Sequence, residues 1–449
     1  MNRDKLKKCL EQEIKFFLKM HPKSKEYFQR SKKCYLDGVP MYWMLKWPGG
    51  YPVVVKEAYG SHFTDIDDNE YIDLCMGYSG ALFGHTPPQV IDAVHNQMKK
   101  GMTYTLPTET DVWVGEELQQ RFELPYWQLA LSATDANRFA IRLARFITKR
   151  KYILVFNWCY HGTVDEAFIT MNEIGVSDVR IGNLGYAINP KETTKVIEFN
   201  DIEALKKALD TRDVACVLAE PALTNIGIVY PQQGYVEALK KITEETGTLL
   251  IIDETHTITG GPGGYAKEIG LKPDILTIGK PIGGGIPVGA YGVSEKVATM
   301  ISSTIDRSTI DVAGIGGTLT ANAVSVAAMK ASFEHLFTDS NYSKMVSLMG
   351  QWIKGVEDVI QEFDLPWGTA QIGCRGEYRF MKKAPRNGTE ALGAEDLEMY
   401  EYLFLYALNR GILLSPYFNI MAVTSPELSE KDINHHTHIF REGIENLMK

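Results

Sequence analysis

Two ionisable residues stand at the ends of apolar runs. Lys280 follows the run DILTIG (274–279) and is itself followed by Pro281 and Gly283-Gly284-Gly285. Glycines so close to a lysine let the backbone approach a ligand. The pattern is not a phosphate-binding P-loop, which needs Ser or Thr directly after the lysine. Asp253 closes the run TLLIID (248–253). A carboxylate at the end of so apolar a strand is costly without a cationic partner. The two residues close successive strand-like runs, which directs both into one crevice.

An amine and a carboxylate at adjacent strand ends form either a simple ion pair or the pair that pyridoxal 5'-phosphate (PLP) chemistry requires. In the second reading Lys280 forms an imine with the cofactor's aldehyde, and burial helps keep the amine deprotonated. Asp253 keeps the pyridine nitrogen protonated, so that the ring takes up electrons from the substrate.

The elements that must position this pair are strands alternating with helices. The strand-like runs are KYILVF (151–156), ACVLAEP (215–221), TLLIIDET (248–255) and DILTIG (274–279). Between the middle two, YVEALKKITEETG reads as a helix with Val236, Leu239 and Ile242 on one face and Gly247 as its stop. IEALKKAL follows Asn200, with Glu203 at capping-box spacing. Runs this apolar are buried on both faces, so the alternation predicts an α/β fold with a mainly parallel sheet. Ligands of such folds bind beyond the carboxyl ends of the strands. Upstream, Leu6, Leu10, Ile14 and Leu18 give residues 1–35 a helical apolar stripe. A strand meander over 52–74 turns at Asp67-Asp68-Asn69. Downstream, helices and strands alternate again. The expected division is an N-terminal segment (1–84), a large α/β domain (85–328) and a C-terminal α+β domain (329–449) that forms a small lobe with the N-terminal segment.

The composition of the 449 residues, 45% hydrophobic and 23% charged, is that of a globular protein. A net charge of −9 argues against nucleic-acid binding. No apolar run approaches the ~20 residues that span a bilayer. The first residues mix Lys with Asp4, Glu11 and Glu13, unlike a signal or transit peptide. Six scattered cysteines without a C-x-x-C pair read as reduced thiols. The expectation is a cytoplasmic protein that contacts neither membrane nor nucleic acid.

The stretch IIDETHTITGGPGGYAKEIGLKPDILTIGKPIGGGIPVGAYG (251–292) resembles the signature of the class III, or ω-type, aminotransferases, PLP enzymes of fold type I. The resemblance runs from about residue 50 to the C-terminus and is strongest to glutamate-1-semialdehyde aminomutases and β-amino-acid aminotransferases. It implies a seven-stranded, mainly parallel sheet, PLP as cofactor, a small amine substrate and a homodimer. It also implies roles for particular residues. In LSATDAN (131–137), Ala133 and Thr134 take the places whose amides hold the cofactor phosphate. In FNWCYHGT (156–163), Tyr160 takes the place of the aromatic that stacks on the ring, with His161 beside it. In AEPALTN (219–225), Asn225 falls near the phenolic oxygen, and Glu220 is either structural or a substrate-side acid. In GGTLTANAVSVAAMKA (316–331), Thr318 reaches the neighbouring subunit's phosphate. The bland readings are an N-cap at Ser132 or Thr134, a core tyrosine at 160, and an N-cap at 318.

Other positions depart from the family. Where its aminomutases carry a carboxylate-binding arginine, PMYWMLKWPGG (40–50) has Tyr42 and Trp43. Where many ω-aminotransferases carry an acceptor-binding arginine, RGILLSPYFN (410–419) offers Leu414-Ser415-Pro416. The remaining candidates for a substrate anion are Arg375 and Arg379 in CRGEYRF, which share a strand face with Glu377. The alternative there is a partly exposed, salt-bridged strand. His256 stands where the family carries a neutral or apolar residue, and reads as a proton shuttle, a stacking surface or a structural histidine. His435, His436 and His438 read as surface residues of a C-terminal helix. Transamination of a small anionic amino compound leads. Elimination of ammonia or phosphate, an aminomutase reaction, and cofactor binding without turnover are the alternatives.

Overall fold

A computed structural model describes residues 2–305, 314–416 and 420–449. Tyr417, Phe418 and Asn419 of the 410–419 stretch lie outside these. The chain forms two compact units: one of residues 88–339 with 385–393, the other of residues 1–87, 340–384 and 394–449. The boundary expected at 328 falls inside the helix Ala323–His335, which stays with the first, larger unit.

The larger unit is built on a seven-stranded sheet. Its order is Tyr126–Ala130, Gly289–Val293, Ile275–Ile278, Leu249–Asp253, Val214–Ala219, Tyr152–Phe156 and Thr194–Ile197. Gly289–Val293 runs antiparallel to both neighbours. The other pairings are parallel. The runs at 214–219, 249–253 and 275–278 are buried at every position, as aliphatic strands covered on both faces must be. Helix Ala133–Thr148 packs Ala136, Ala140, Ile141 and Ala144 inward. Helix Tyr235–Thr246 ends at Gly247 with φ +67°, as its sequence predicts. The helix Ile202–Leu209 is capped by Asp201, whose carboxylate accepts from the Ala204 amide. Asn200, expected in that role, instead donates to the Tyr230 and Arg386 carbonyls.

The smaller unit contains a four-stranded sheet, three of whose strands form the meander expected over 52–74. A three-stranded sheet joins Gly368–Ile372, Arg375–Arg379 and Ile420–Val423. Its first helix, Arg3–Met20, buries Leu6, Leu10, Glu13 and Phe17, while Leu18 is exposed. A strict four-residue spacing drifts around a 3.6-residue helix, so the buried face leaves the expected stripe after Leu10. Glu13 enters that face because Arg410 and Asn409 bind its carboxylate. His436 is a correction: it is buried, ring-stacked on Phe440 and packed against Trp352. It shares its helix face with Ile433, Phe440 and Ile444. Burial pushes its pKa down to about 3, so the ring is neutral. No described helix is long and apolar enough to cross a membrane.

Candidate active site

Parallel pairing sets Asp253 beside Thr277, three residues before Lys280. The two residues therefore leave adjacent strand ends, both within the larger unit.

Asp253 is buried, and its carboxylate is held from three sides. Oδ2 accepts from Asn137 Nδ2 at 2.8 Å and meets His161 Nδ1 at 3.0 Å. Oδ1 accepts from the Thr255 amide at 3.0 Å. Asn137, itself fully buried, is fixed by a hydrogen bond from Thr277 Oγ1 to its carbonyl at 2.6 Å. Burial alone would raise the Asp253 pKa; the hydrogen bond and charge of His161 override it, and the net direction is down. Burial likewise opposes charge on His161, but Cys159 and Asp253 beside it push its pKa up to about 10. The result is a buried ion pair behind the strand end.

Lys280 has left-handed backbone at φ +53° and opens a short turn, Lys280–Gly283. Its Nζ lies 2.5 Å from His256 Nε2. The glycine run divides: a Cβ on Gly285 would meet nothing within 4 Å. A Cβ on Gly283 would meet Val288 at 2.8 Å, and one on Gly284 would meet Val90 at 2.7 Å, so these two residues serve packing. Gly279 and Gly289 make close approaches of another kind, to the start of a helix. A Cβ on Gly279 would come within 2.9 Å of Ala133 Cβ, and one on Gly289 would run into the Ser132 carbonyl. Both glycines seat the sheet against the start of helix Ala133–Thr148. Ser132 caps that helix, accepting from the Asp135 amide. Thr134 accepts through Oγ1 from the Thr163 amide. The first-turn amides of Ala133 and Thr134 project from the helix end beside Gly279, a suitable seat for an anion.

Tyr160 packs edge-on against Phe168. Burial raises the pKa of its hydroxyl, Arg180 opposes the rise and Asp253 adds to it. Asn225 has a buried Nδ2 without a hydrogen-bond partner among the described residues. Glu220 accepts from the Thr224 amide and hydroxyl. Glu254 accepts from Thr257 Oγ1 and the Tyr265 and Ala266 amides, and burial pushes its pKa up to about 7. Thr318 is exposed, at a cavity of about 470 Å³ that it shares with Leu106, Asp111 and Trp127.

These residues fit PLP by two observations. A carboxylate accepts about four hydrogen bonds; Asp253 uses three here, which leaves room for a ring N–H. The unpartnered Asn225 amide supplies a donor that buried polar groups do not waste. In the smaller unit, Tyr42 is exposed, whereas Arg375 is buried on a strand buried throughout, not partly exposed. Glu377 pairs with Arg379 there at 2.5 Å. Sequence reasoning left His161 open and missed Asn137. The available signal was a polar residue on the apolar face of helix Ala133–Thr148.

Residues 46–362 match the family model for aminotransferase class-III. The chain is similar to a crystal structure of a glutamate-1-semialdehyde-aminomutase from Pseudomonas aeruginosa PAO1, with TM-score 0.97 and 42% identity over 100% of this chain and 99% of that one. A form of that protein with one lysine replaced by alanine is known in complex with PMP. A curated relative, glutamate-1-semialdehyde 2,1-aminomutase 2 of Halalkalibacterium halodurans, is 32% identical over 96% of this chain and 100% of its own length. An omega-transaminase from Sphaerobacter thermophilus aligns with TM-score 0.87 and 25% identity over 95% of this chain and 98% of that one.

Proposed function

Since this chain belongs to the class-III aminotransferase family and is therefore a PLP-dependent enzyme, we propose that it moves the amino group of a small anionic amino compound, with Lys280 and Asp253 at the centre of the reaction. The observation that carries this reading is the Asp253–His161 ion pair, buried at the strand end next to that of Lys280.

When bound, PLP supplies an aldehyde that exchanges with amines and a ring that takes up an electron pair from the substrate. The chain's residues do the rest. Lys280 would hold the cofactor and would move a proton at the substrate carbon as base and acid. Asp253 would hold the cofactor's ring nitrogen in its protonated form. His161 and Asn137 keep that carboxylate ionised and aimed. The amides of Ala133 and Thr134 would hold the phosphate, Asn225 would donate to the phenolic oxygen, and Tyr160 would serve as the aromatic against the ring. Thr318 serves the partner copy of a homodimer, and the exposed Leu106 and Leu319 near it suit a covered face. Six free cysteines suit a reducing cytoplasm.

An aminomutase reaction is the second reading, supported by the names of relatives that span nearly the whole chain. One experiment separates the outcomes. Purified enzyme is incubated with candidate amino compounds without a keto acid. A transaminase stops after one turnover until a keto acid is added. A mutase accumulates an isomer without it. Sustained release of ammonia or phosphate would replace both readings with elimination. A protein that stays colourless with added PLP would overturn the whole assignment.

A further inference from the structure

We infer that His256 is a positioning residue for Lys280: it accepts a hydrogen bond from the lysine's ammonium, once the cofactor has left that nitrogen, and parks it at the site. The inference rests on the reading of Lys280 given above.

The carrying observation is the 2.5 Å contact between Lys280 Nζ and His256 Nε2. When Lys280 is an ammonium it has donors and no acceptor, so the imidazole then presents a lone pair at Nε2 and carries its proton on Nδ1. The carboxylates nearby in sequence are engaged elsewhere. Asp253 takes bonds from Asn137, His161 and the Thr255 amide. Glu254 takes bonds from Thr257, Tyr265 and Ala266. The backbone that carries the imidazole is also held. The Thr255 amide closes a turn onto Asp253, and Thr259 Oγ1 donates to the His256 carbonyl at 3.0 Å. Where an apolar residue stands at this position, the ammonium has no side-chain acceptor from it.

A neutral acceptor favours the charged form of its donor. After the substrate amine displaces it, Lys280 must take a proton from a carbon, and stabilising the ammonium strengthens it as that base. Fixing Nζ also keeps the proton within reach of both atoms it serves. The proton step balances within the chain and substrate: a C–H bond breaks, an N–H bond forms, and His256 holds another N–H of the same group. His256 itself gains no proton.

The test uses the full chain stripped of cofactor, with wild type, His256→Leu and His256→Gln compared by circular dichroism for folding. Reductive methylation of Lys280 is followed by peptide mass at pH 8. The wild type should react about tenfold more slowly than His256→Leu, the factor that one pKa unit of stabilisation gives. His256→Gln, whose amide oxygen accepts the same bond, should restore the slow rate. In the loaded enzyme, His256→Leu should lower kcat with KM unchanged, and Gln should recover it. Equal methylation rates in all three proteins would overturn the inference, as would a rise in KM alone. If His256→Leu fails to fold, a His256→Gln protein that methylates as slowly as wild type supports the inference, and one that reacts tenfold faster overturns it. Borohydride reduction of the loaded wild type keeps the two readings apart. Cofactor attached away from Lys280 sinks the proposed function; cofactor on Lys280 with unchanged methylation sinks only the role of His256.

Discussion

The His161 imidazole meets the Asp253 carboxylate at 3.0 Å, with both residues almost completely withdrawn from water. Each holds the other's charge, and each is stranded if the other is removed.

That pairing fixes a pH dependence. The folded pKa of His161 is raised to about 10, so its contribution to stability is full below the unfolded value and is lost as pH climbs towards 10. The folded pKa of Asp253 is depressed, so its contribution is present above the unfolded carboxylate range and is lost as pH falls through it. Replacing His161 by Asn leaves a buried carboxylate unpaired and should cost about 3–5 kcal/mol near pH 6. The cost should shrink by pH 10. Urea midpoints of both proteins across that range check this; a constant difference would remove the ion pair from the account.

Lys280→Ala should abolish covalent attachment of the cofactor and lower turnover by at least about 100-fold, the smaller end of what a positioned acid or base contributes. Asp253→Asn should keep the attachment and lose comparable activity, because an amide does not hold the ring nitrogen protonated. Visible absorbance reports the first effect and steady-state kinetics the second. Retained attachment in Lys280→Ala would move the reactive lysine elsewhere.

Gly289→Ala drives a Cβ into the Ser132 carbonyl, where the clash is with backbone. The strand must shift off the helix start, at a cost of about 1–3 kcal/mol. Cofactor affinity should fall with it, because the amides of Ala133 and Thr134 move. A titration of cofactor absorbance that matches wild type would place the phosphate at another helix.

His436→Phe should stabilise the chain, because it removes a buried Nδ1 that has no partner among the described residues. The gain is about 1 kcal/mol at pH 8. The folded pKa near 3 lies below the unfolded value, so wild type loses stability as pH falls from 6.5 towards 3 and the variant does not. Denaturation at pH 5 and pH 8 should show a larger gain at pH 5.

The strand ends are legible in the sequence because continuous aliphatic runs announce doubly covered strands, and a charge closing such a run stands out. Their partners are not. Asn137 lies 116 residues from Asp253 and His161 lies 92 away, and only the packing of a helix and a loop against the sheet brings them together. The glycines mislead for a related reason. Glycine records a close approach without saying to what, so Gly283–Gly285 draws attention while Gly279 and Gly289 seat the helix. His436 escapes notice because three histidines in four positions look polar, although only one shares the phase of Ile433 and Phe440.

The left-handed backbone at Lys280 has a consequence for the chain's history. A side chain there costs about 1–2 kcal/mol that glycine would not incur. Improved folding alone would therefore favour erasing the amine. Any lineage that stops using the site should drift to glycine at 280 early, and a copy with that exchange would fold more firmly and do nothing.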